Sequence, residues 1–188
     1  MVKKPDDTYR MCIDYQDINA RTVRDAYLAP SVDTVLDGLR GARYISKIDL
    51  KAAFLQVPME KLSRRYTAFG VPGSGLGNSP ATFCRLIDSL FGPECYPHVF
   101  KYIDDIIIVT ETFADHMYWV DIVLKKLVEA DLRVNKDKCE FCCSQVRYLG
   151  YLLDEEDLRP DPDRIAPIVN YPVPKNLKAS RVVLRGIN

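Results

Sequence analysis

Hydrophobic and polar positions change period several times along this chain, and each change marks a predicted element. Tyr44 to Leu50 alternates as a strand, with Asp49 between Ile48 and Leu50. His98 to Thr110 reads as two β-branched apolar runs joined at Asp104-Asp105, a β-hairpin with both acids at its tight turn. Pro30-Ser31 begins a helix that carries Val32, Val35, Leu36 and Leu39 on one face, with Gly41 just past its end. Ser79-Pro80 predicts another helix, serine as N-cap and proline first inside, with Phe83, Leu86, Ile87, Leu90 and Phe91 as its buried stripe and Gly92-Pro93 as its stop. Thr112 opens the longest helix, with Met117, Val120, Leu124, Leu127 and Val128 on the apolar face and an end near Asp131. Arg10 to Tyr15, Phe54 to Met59 and Tyr66 to Pro72 read as extended segments, and Gly70 to Gly77 as a loop. Arg147 to Leu153 and Glu156 to Pro160 read as a second hairpin. Asp161-Pro162 starts a short helix, and Pro167 predicts a kink or early end there. Strands and helices mix without regular βαβ alternation, which predicts the α+β class.

Composition bounds this picture more than it refines it. A chain of 188 residues with 47% hydrophobic residues has enough material for a packed core. The 26 basic and 26 acidic residues cancel, so no global charge points to nucleic acid, and such a role must rest on local clusters. The six cysteines show no recurring metal-ligand spacing, and Cys139 with Cys142 is a lone C-x-x-C. They read as reduced thiols of an intracellular protein, cytoplasmic or nuclear. The apolar runs are too short to cross a bilayer, so no membrane partner is expected.

Chemistry enters with the carboxylates. Side by side in a largely buried sheet, Asp104 and Asp105 repel unless solvent or a cation screens them. Taken alone, the pair fits a solvated turn at least as well as a metal site. Asp49, also on strand-like sequence, is either a cap or a site residue. If the two strands are neighbours, three acids converge, and two divalent metals held by shared carboxylates would resolve the repulsion and create a phosphoryl-transfer site. Polymerases and nucleases both use that arrangement.

Phe100-Lys-Tyr-Ile-Asp-Asp-Ile-Ile-Ile resembles the Tyr-x-Asp-Asp signature of reverse transcriptases. Further blocks follow the family's order: Arg10-Met-Cys-Ile-Asp-Tyr-Gln-Asp-Ile-Asn, Lys47-Ile-Asp-Leu-Lys-Ala-Ala-Phe-Leu-Gln-Val-Pro, Tyr66-Thr-Ala-Phe, Ser79-Pro-Ala-Thr-Phe and Tyr148-Leu-Gly-Tyr. Together they are similar to the polymerase of gypsy-type long-terminal-repeat retrotransposons over nearly the whole chain. The resemblance implies a right-hand polymerase palm with partial fingers, an antiparallel sheet backed by helices, and a thumb largely missing. Residues 1–171 would be fingers and palm, and 172–188 a linker into a truncated thumb or connection. Asp49, Asp104 and Asp105 match the catalytic acids and would hold two Mg²⁺ ions, with Mn²⁺ as a possible substitute. Leu50 would lend a backbone carbonyl to the metal. Arg10 and Lys4 match triphosphate-gripping positions, with Lys3 as the alternative to Lys4. Phe54 matches the aromatic gate against a ribose 2′-hydroxyl. Tyr102 matches the residue at the primer end, and Tyr148, Leu149, Gly150 and Tyr151 resemble the primer grip. Lys61, Arg64 and Arg65 would meet template phosphates or form an ordinary solvated face. The implied partners are an RNA or DNA template with primer, deoxynucleotides, and the thumb, RNase H and integrase of a polyprotein.

The sequence also departs from the family pattern. Gly73-Ser-Gly-Leu-Gly-Asn stands where the family has a longer strand-and-turn segment, a shortening near 73–78 expected to leave the nucleotide pocket half built. Two readings follow. One is an RNA-directed DNA polymerase fragment; the other is a catalytically inactive palm acting at most as a nucleic-acid-binding module.

Overall fold

The computed structural model describes residues 2–3, 7, 9–10, 15–27, 31–66, 76–156 and 158–170. Lys4, the body of the Arg10–Tyr15 segment, the 67–75 stretch with most of the loop expected to be shortened, and 171–188 lie outside those residues, as do the side chains of Lys3, Arg10 and Arg65.

A short ribbon pairs β1 (Val2–Lys3) with β2 (Tyr9–Arg10), and α1 (Gln16–Arg21) follows. That helix has no buried residue, so no apolar stripe betrays it in the sequence. Helix α2 (Val32–Gly38) forms as expected: the Ser31 hydroxyl accepts the Thr34 N–H, and Val35 and Leu36 are buried. Strand β3 (Tyr44–Asp49) leads into α3 (Ala53–Gln56), which replaces the extended segment expected from Phe54. The backbone turns sharply at Ala52, left-handed at φ 50°, because Lys51 is held by the Arg133 carbonyl and the chain must leave the sheet there.

Helix α4 (Ser79–Leu90) is capped at Asn78 rather than Ser79. The Asn78 side chain makes no cap bond; it accepts the Asp25 N–H and donates to the Val23 carbonyl, tying the preceding strap to the helix start. Strands β4 (Val99–Tyr102) and β5 (Asp105–Thr110) form the hairpin. Helix α5 (Phe113–Glu129) is capped by Thr112, whose hydroxyl accepts the Asp115 N–H. Its buried face is His116, Val120, Val123 and Leu127, while Met117 and Val128 are exposed, so the apolar stripe is rotated from the expected one. The reason is His116: a polar residue wins the inner position because two hydroxyls await it there.

Strand β6 (Glu140–Cys143) is an edge strand that the sequence pattern does not reveal. The second hairpin is three strands, β7 (Gln145–Tyr148), β8 (Tyr151–Asp154) and β9 (Leu158–Pro160). Residues 147–153 are therefore not one strand; Leu149 and Gly150, at φ 51° and 87°, turn the chain between Tyr148 and Tyr151. Gly150 is the residue that fits, since a Cβ there would meet Arg164 Nη1 at 2.8 Å. Helix α6 (Pro162–Val169) continues through Pro167 without the expected early end. So late in a short helix, a missing N–H removes few rungs.

The central sheet has the order β4-β5-β3-β6, all antiparallel. On one face Ile48, Leu50, Ile106 and Ile108 pack against Phe83, Ile87 and Phe91 near α4 and against Val120, Val123 and Leu127 of α5. On the other, Ile45, Phe100, Ile107 and Val109 meet Val35, Leu36 and Leu39 and the inner residues Val146, Tyr148 and Leu153 of the small sheet. Covered on both faces, β5 reads as an unbroken apolar run after Asp105. Among the described residues no helix is long and apolar enough to cross a membrane.

Candidate active site

Side chains along a strand alternate in direction, so register decides which acids meet. Asp49 pairs directly with Asp105 across β3 and β5, and Tyr102 pairs with Asp105 across β4 and β5. Tyr102, Asp105 and Asp49 thus form one row on the face shared with α2 and the small sheet. Directly opposed residues of this kind stand about 4.5–5.5 Å apart at Cβ, close enough for two carboxylates to share a cation. Asp104 occupies the two-residue turn with Ile103 and is exposed. Ile103 is left-handed at φ 56°, a conformation costly for a β-branched residue and one that lets the chain reverse between Tyr102 and Asp105.

The end of β3 is fastened to this turn. The Leu50 N–H donates to the Asp104 carbonyl at 3.3 Å, and Asn135 N–H donates to the Asp49 carbonyl at 2.8 Å. In an extended strand the N–H and C=O of one residue point to the same side, so the Leu50 carbonyl faces the acid turn as well.

Burial raises the Asp105 carboxyl above its ordinary range; the charges of Asp104 and Asp49 push it the same way, while Lys47 and Lys138 oppose them. Lys138 Nζ stands 3.4 Å from Asp49 Oδ2, and that carboxylate is only 16% exposed. Two lysines therefore supply the counter-charge that clustered carboxylates need. Among the described residues no three His, Cys, Asp or Glu side chains are drawn into a metal cage. The donors nonetheless fit a hard divalent cation: Asp49 and Asp105 face to face, Asp104 beside them, and the Leu50 carbonyl turned inward are all oxygen ligands.

Phe54 sits on α3 just beyond β3, half-buried, with its ring edge-on to Phe83 at 5.7 Å between centroids. Tyr148 to Tyr151 is the tip of the β7–β8 hairpin, lying against the acid-bearing face; Lys47 Nζ reaches the Arg147 carbonyl at 3.3 Å. Tyr148 is buried, and burial together with the charges of Asp105, Tyr102 and Asp104 raises its hydroxyl strongly. Lys61 and Arg64 are exposed, and Arg64 Nε donates to the Met59 carbonyl. Arg10 is a backbone member of β2. Sequence reasoning missed both lysines. Lys47 was findable, since period-two alternation puts it on the Asp49 face; nothing in the sequence links Lys138 to Asp49.

A helix-backed antiparallel sheet with paired acids at one hairpin defines a polymerase-type palm, and the comparisons agree. Residues 2–153 match the family described as reverse transcriptase (RNA-dependent DNA polymerase), and the chain belongs to that family. It is 34% identical over 195 residues to the retrovirus-related Pol polyprotein of transposon 297 from Drosophila melanogaster, covering 97% of this chain and 18% of that protein. It is 32% identical over 174 residues to the Pol polyprotein of transposon gypsy from the same organism, covering 88% of this chain and 17% of that protein. The chain thus spans less than a fifth of these curated relatives, and the gypsy-type resemblance stands. Among solved structures, a foamy viral protease-reverse transcriptase in complex with double-stranded DNA superposes with a TM-score of 0.89 at 28% identity, covering 100% of this chain and 34% of that one. The foamy viral enzyme in complex with an RNA/DNA hybrid gives 0.83 at 29%, covering 100% and 26%.

Proposed function

We propose that this chain is the fingers-and-palm part of an RNA-directed DNA polymerase that extends a primer 3′-hydroxyl with deoxynucleotides. The observation that carries the reading is the direct pairing of Asp49 with Asp105 beside the exposed Asp104. Asp49, Asp104 and Asp105 are the catalytic acids and, with the Leu50 carbonyl, the ligands for two Mg²⁺ or Mn²⁺ ions. When bound, such ions lower the pKa of an attacking hydroxyl and stabilise the leaving phosphate. The chain's own residues position the reactants. Tyr102, in the acid row, meets the primer end, and the Tyr148–Tyr151 turn holds the primer against it. Phe54, fixed edge-on against Phe83, presents a rigid ring where a sugar passes and favours deoxyribose. Arg10 and Lys4 take the triphosphate. Template-primer and deoxynucleotides are the substrates, and the rest of a polyprotein, with thumb, RNase H and integrase, is the working context. The double-stranded DNA and RNA/DNA hybrid held by the foamy viral neighbours support a duplex as ligand.

Primer extension on an RNA template with magnesium tests this. The chain should extend the primer, and Asp105→Asn should lose at least about 100-fold, the scale of removing one group that stabilises transition-state charge. Equal product from both proteins, or none, would assign the chain to a nucleic-acid-binding palm without catalysis.

A further inference from the structure

Among the described residues, the Tyr148 hydroxyl is the one buried side-chain polar atom with no hydrogen-bond partner. Its ring is 1% exposed and packs in the core formed by Ile45, Phe100 and Ile107 on the acid-bearing face. A buried hydroxyl without a protein partner is costly, and each such group in a native fold calls for an explanation. Tyr148 shares that core with Ile107, two residues from Asp105 on the same strand face, and with Tyr102, the cross-strand partner of Asp105, packed against it. The ring therefore lies beside the acid row, and the charge of Asp105 acts on its hydroxyl. Asp105 is half-buried on that face, and among the described residues no side-chain donor bonds its carboxylate. A buried donor without a protein acceptor thus lies on the same sheet face as a half-buried carboxylate.

We propose that Tyr148 is a positioning residue whose hydroxyl donates a hydrogen bond to the Asp105 carboxylate, through one bridging water or after a small rotation of Asp105. The bond would fix the carboxylate on the Asp49 side and couple it to the β7–β8 turn, whose left-handed Leu149 and Gly150 set the height of the tyrosine. Movement of that turn is then felt at Asp105. The catalytic meaning of this link rests on the polymerase reading; the link itself does not.

A double-mutant cycle on the full chain in EDTA tests it without turnover, using wild type, Tyr148→Phe, Asp105→Ala and the double variant in thermal unfolding. Phenylalanine keeps the packed ring. Tyr148→Phe should lower Tm by about 2–4 °C in the Asp105 protein and leave it unchanged in the Asp105→Ala background. An unchanged or raised Tm in the Asp105 protein, or an equal drop in both backgrounds, overturns the proposal. Where primer extension is present, Tyr148→Phe should reduce kcat several-fold with the nucleotide KM held; a change confined to KM also overturns it. Absence of extension by all four proteins counts against the polymerase reading alone.

Discussion

Asp105 and His116 sit on opposite faces of one sheet, and burial pushes their pKa values in opposite directions. Each time it disfavours the charged form. At Asp105 two lysines oppose that shift. At His116 the neutral ring is what the structure uses. Thr110 Oγ1 donates to the Thr112 carbonyl, so it accepts from His116 Nδ1 at 3.1 Å; Nε2 is then free to accept the Ser46 hydroxyl at 2.7 Å. Ser46 Oγ in turn accepts the Cys142 N–H, which fastens the edge strand β6. The lowered pKa means the unfolded chain binds the extra proton more readily. Stability contributed by His116 is therefore full above its ordinary value near 6.5 and falls as pH drops below it. Thermal melts across pH 7.5 to 5 should show that loss. His116→Leu should cost about 1–3 kcal/mol at pH 7.5, since two buried hydroxyls each lose one hydrogen bond, and should flatten the acid slope.

At the scale of elements, α4 is the clamp between sheet and strap. Lys101 lies on the helix-covered face of β4 and reaches Asp88 Oδ1 at 2.5 Å and the Phe91 carbonyl at 2.6 Å. The Tyr27 hydroxyl donates to the same carboxylate, and Arg85 meets Asp25 while its guanidinium lies 5.0 Å from the Tyr27 ring centroid. Burial pushes the Asp88 carboxyl up, but the Lys101 and Tyr27 hydrogen bonds outweigh it and hold it below its ordinary value. Its contribution is present above pH 4 and is lost as pH falls through the lowered value. Asp88→Asn should destabilise by about 1–2 kcal/mol, the worth of a partly exposed charge-assisted bond, measured as a lower urea midpoint at pH 7 with that acid-limb dependence removed. The helix itself was legible from Phe83, Ile87 and Phe91, which are buried as their spacing requires. Its cap was not: Asn78 is diverted to Val23 and Asp25, and no local pattern announces partners that far along the chain. The same holds for α5, where local hydrophobicity favoured Met117 and Val128, and the hydroxyls of Ser46 and Thr110 drew His116 inward instead.

For the whole molecule, two cores share one sheet and leave its acid end open, with Lys47 and Lys138 standing in for cations. A divalent ion that binds this folded arrangement and not the unfolded chain must stabilise it. Millimolar magnesium should raise the Tm of the wild-type chain, by an amount equivalent to about 2.7 kcal/mol at a hundredfold excess over Kd. EDTA should reverse the rise, and Asp105→Asn should abolish it; an equal rise in both proteins would mean that the ion binds elsewhere. The sequence by itself determined the strands bearing Asp49 and Asp105, the helices at Val32, Ser79 and Phe113, and the family, because short-range periodicity and ordered blocks are local properties of the chain. Tertiary structure alone settled that Asp49 faces Asp105, that Lys138 reaches Asp49, that His116 turns inward, and that β6 forms an edge of the sheet. Those depend on register and on partners distant in sequence, which no local pattern encodes. The same applies to the Tyr148 hydroxyl, whose missing partner becomes visible only once β7 lies across the sheet.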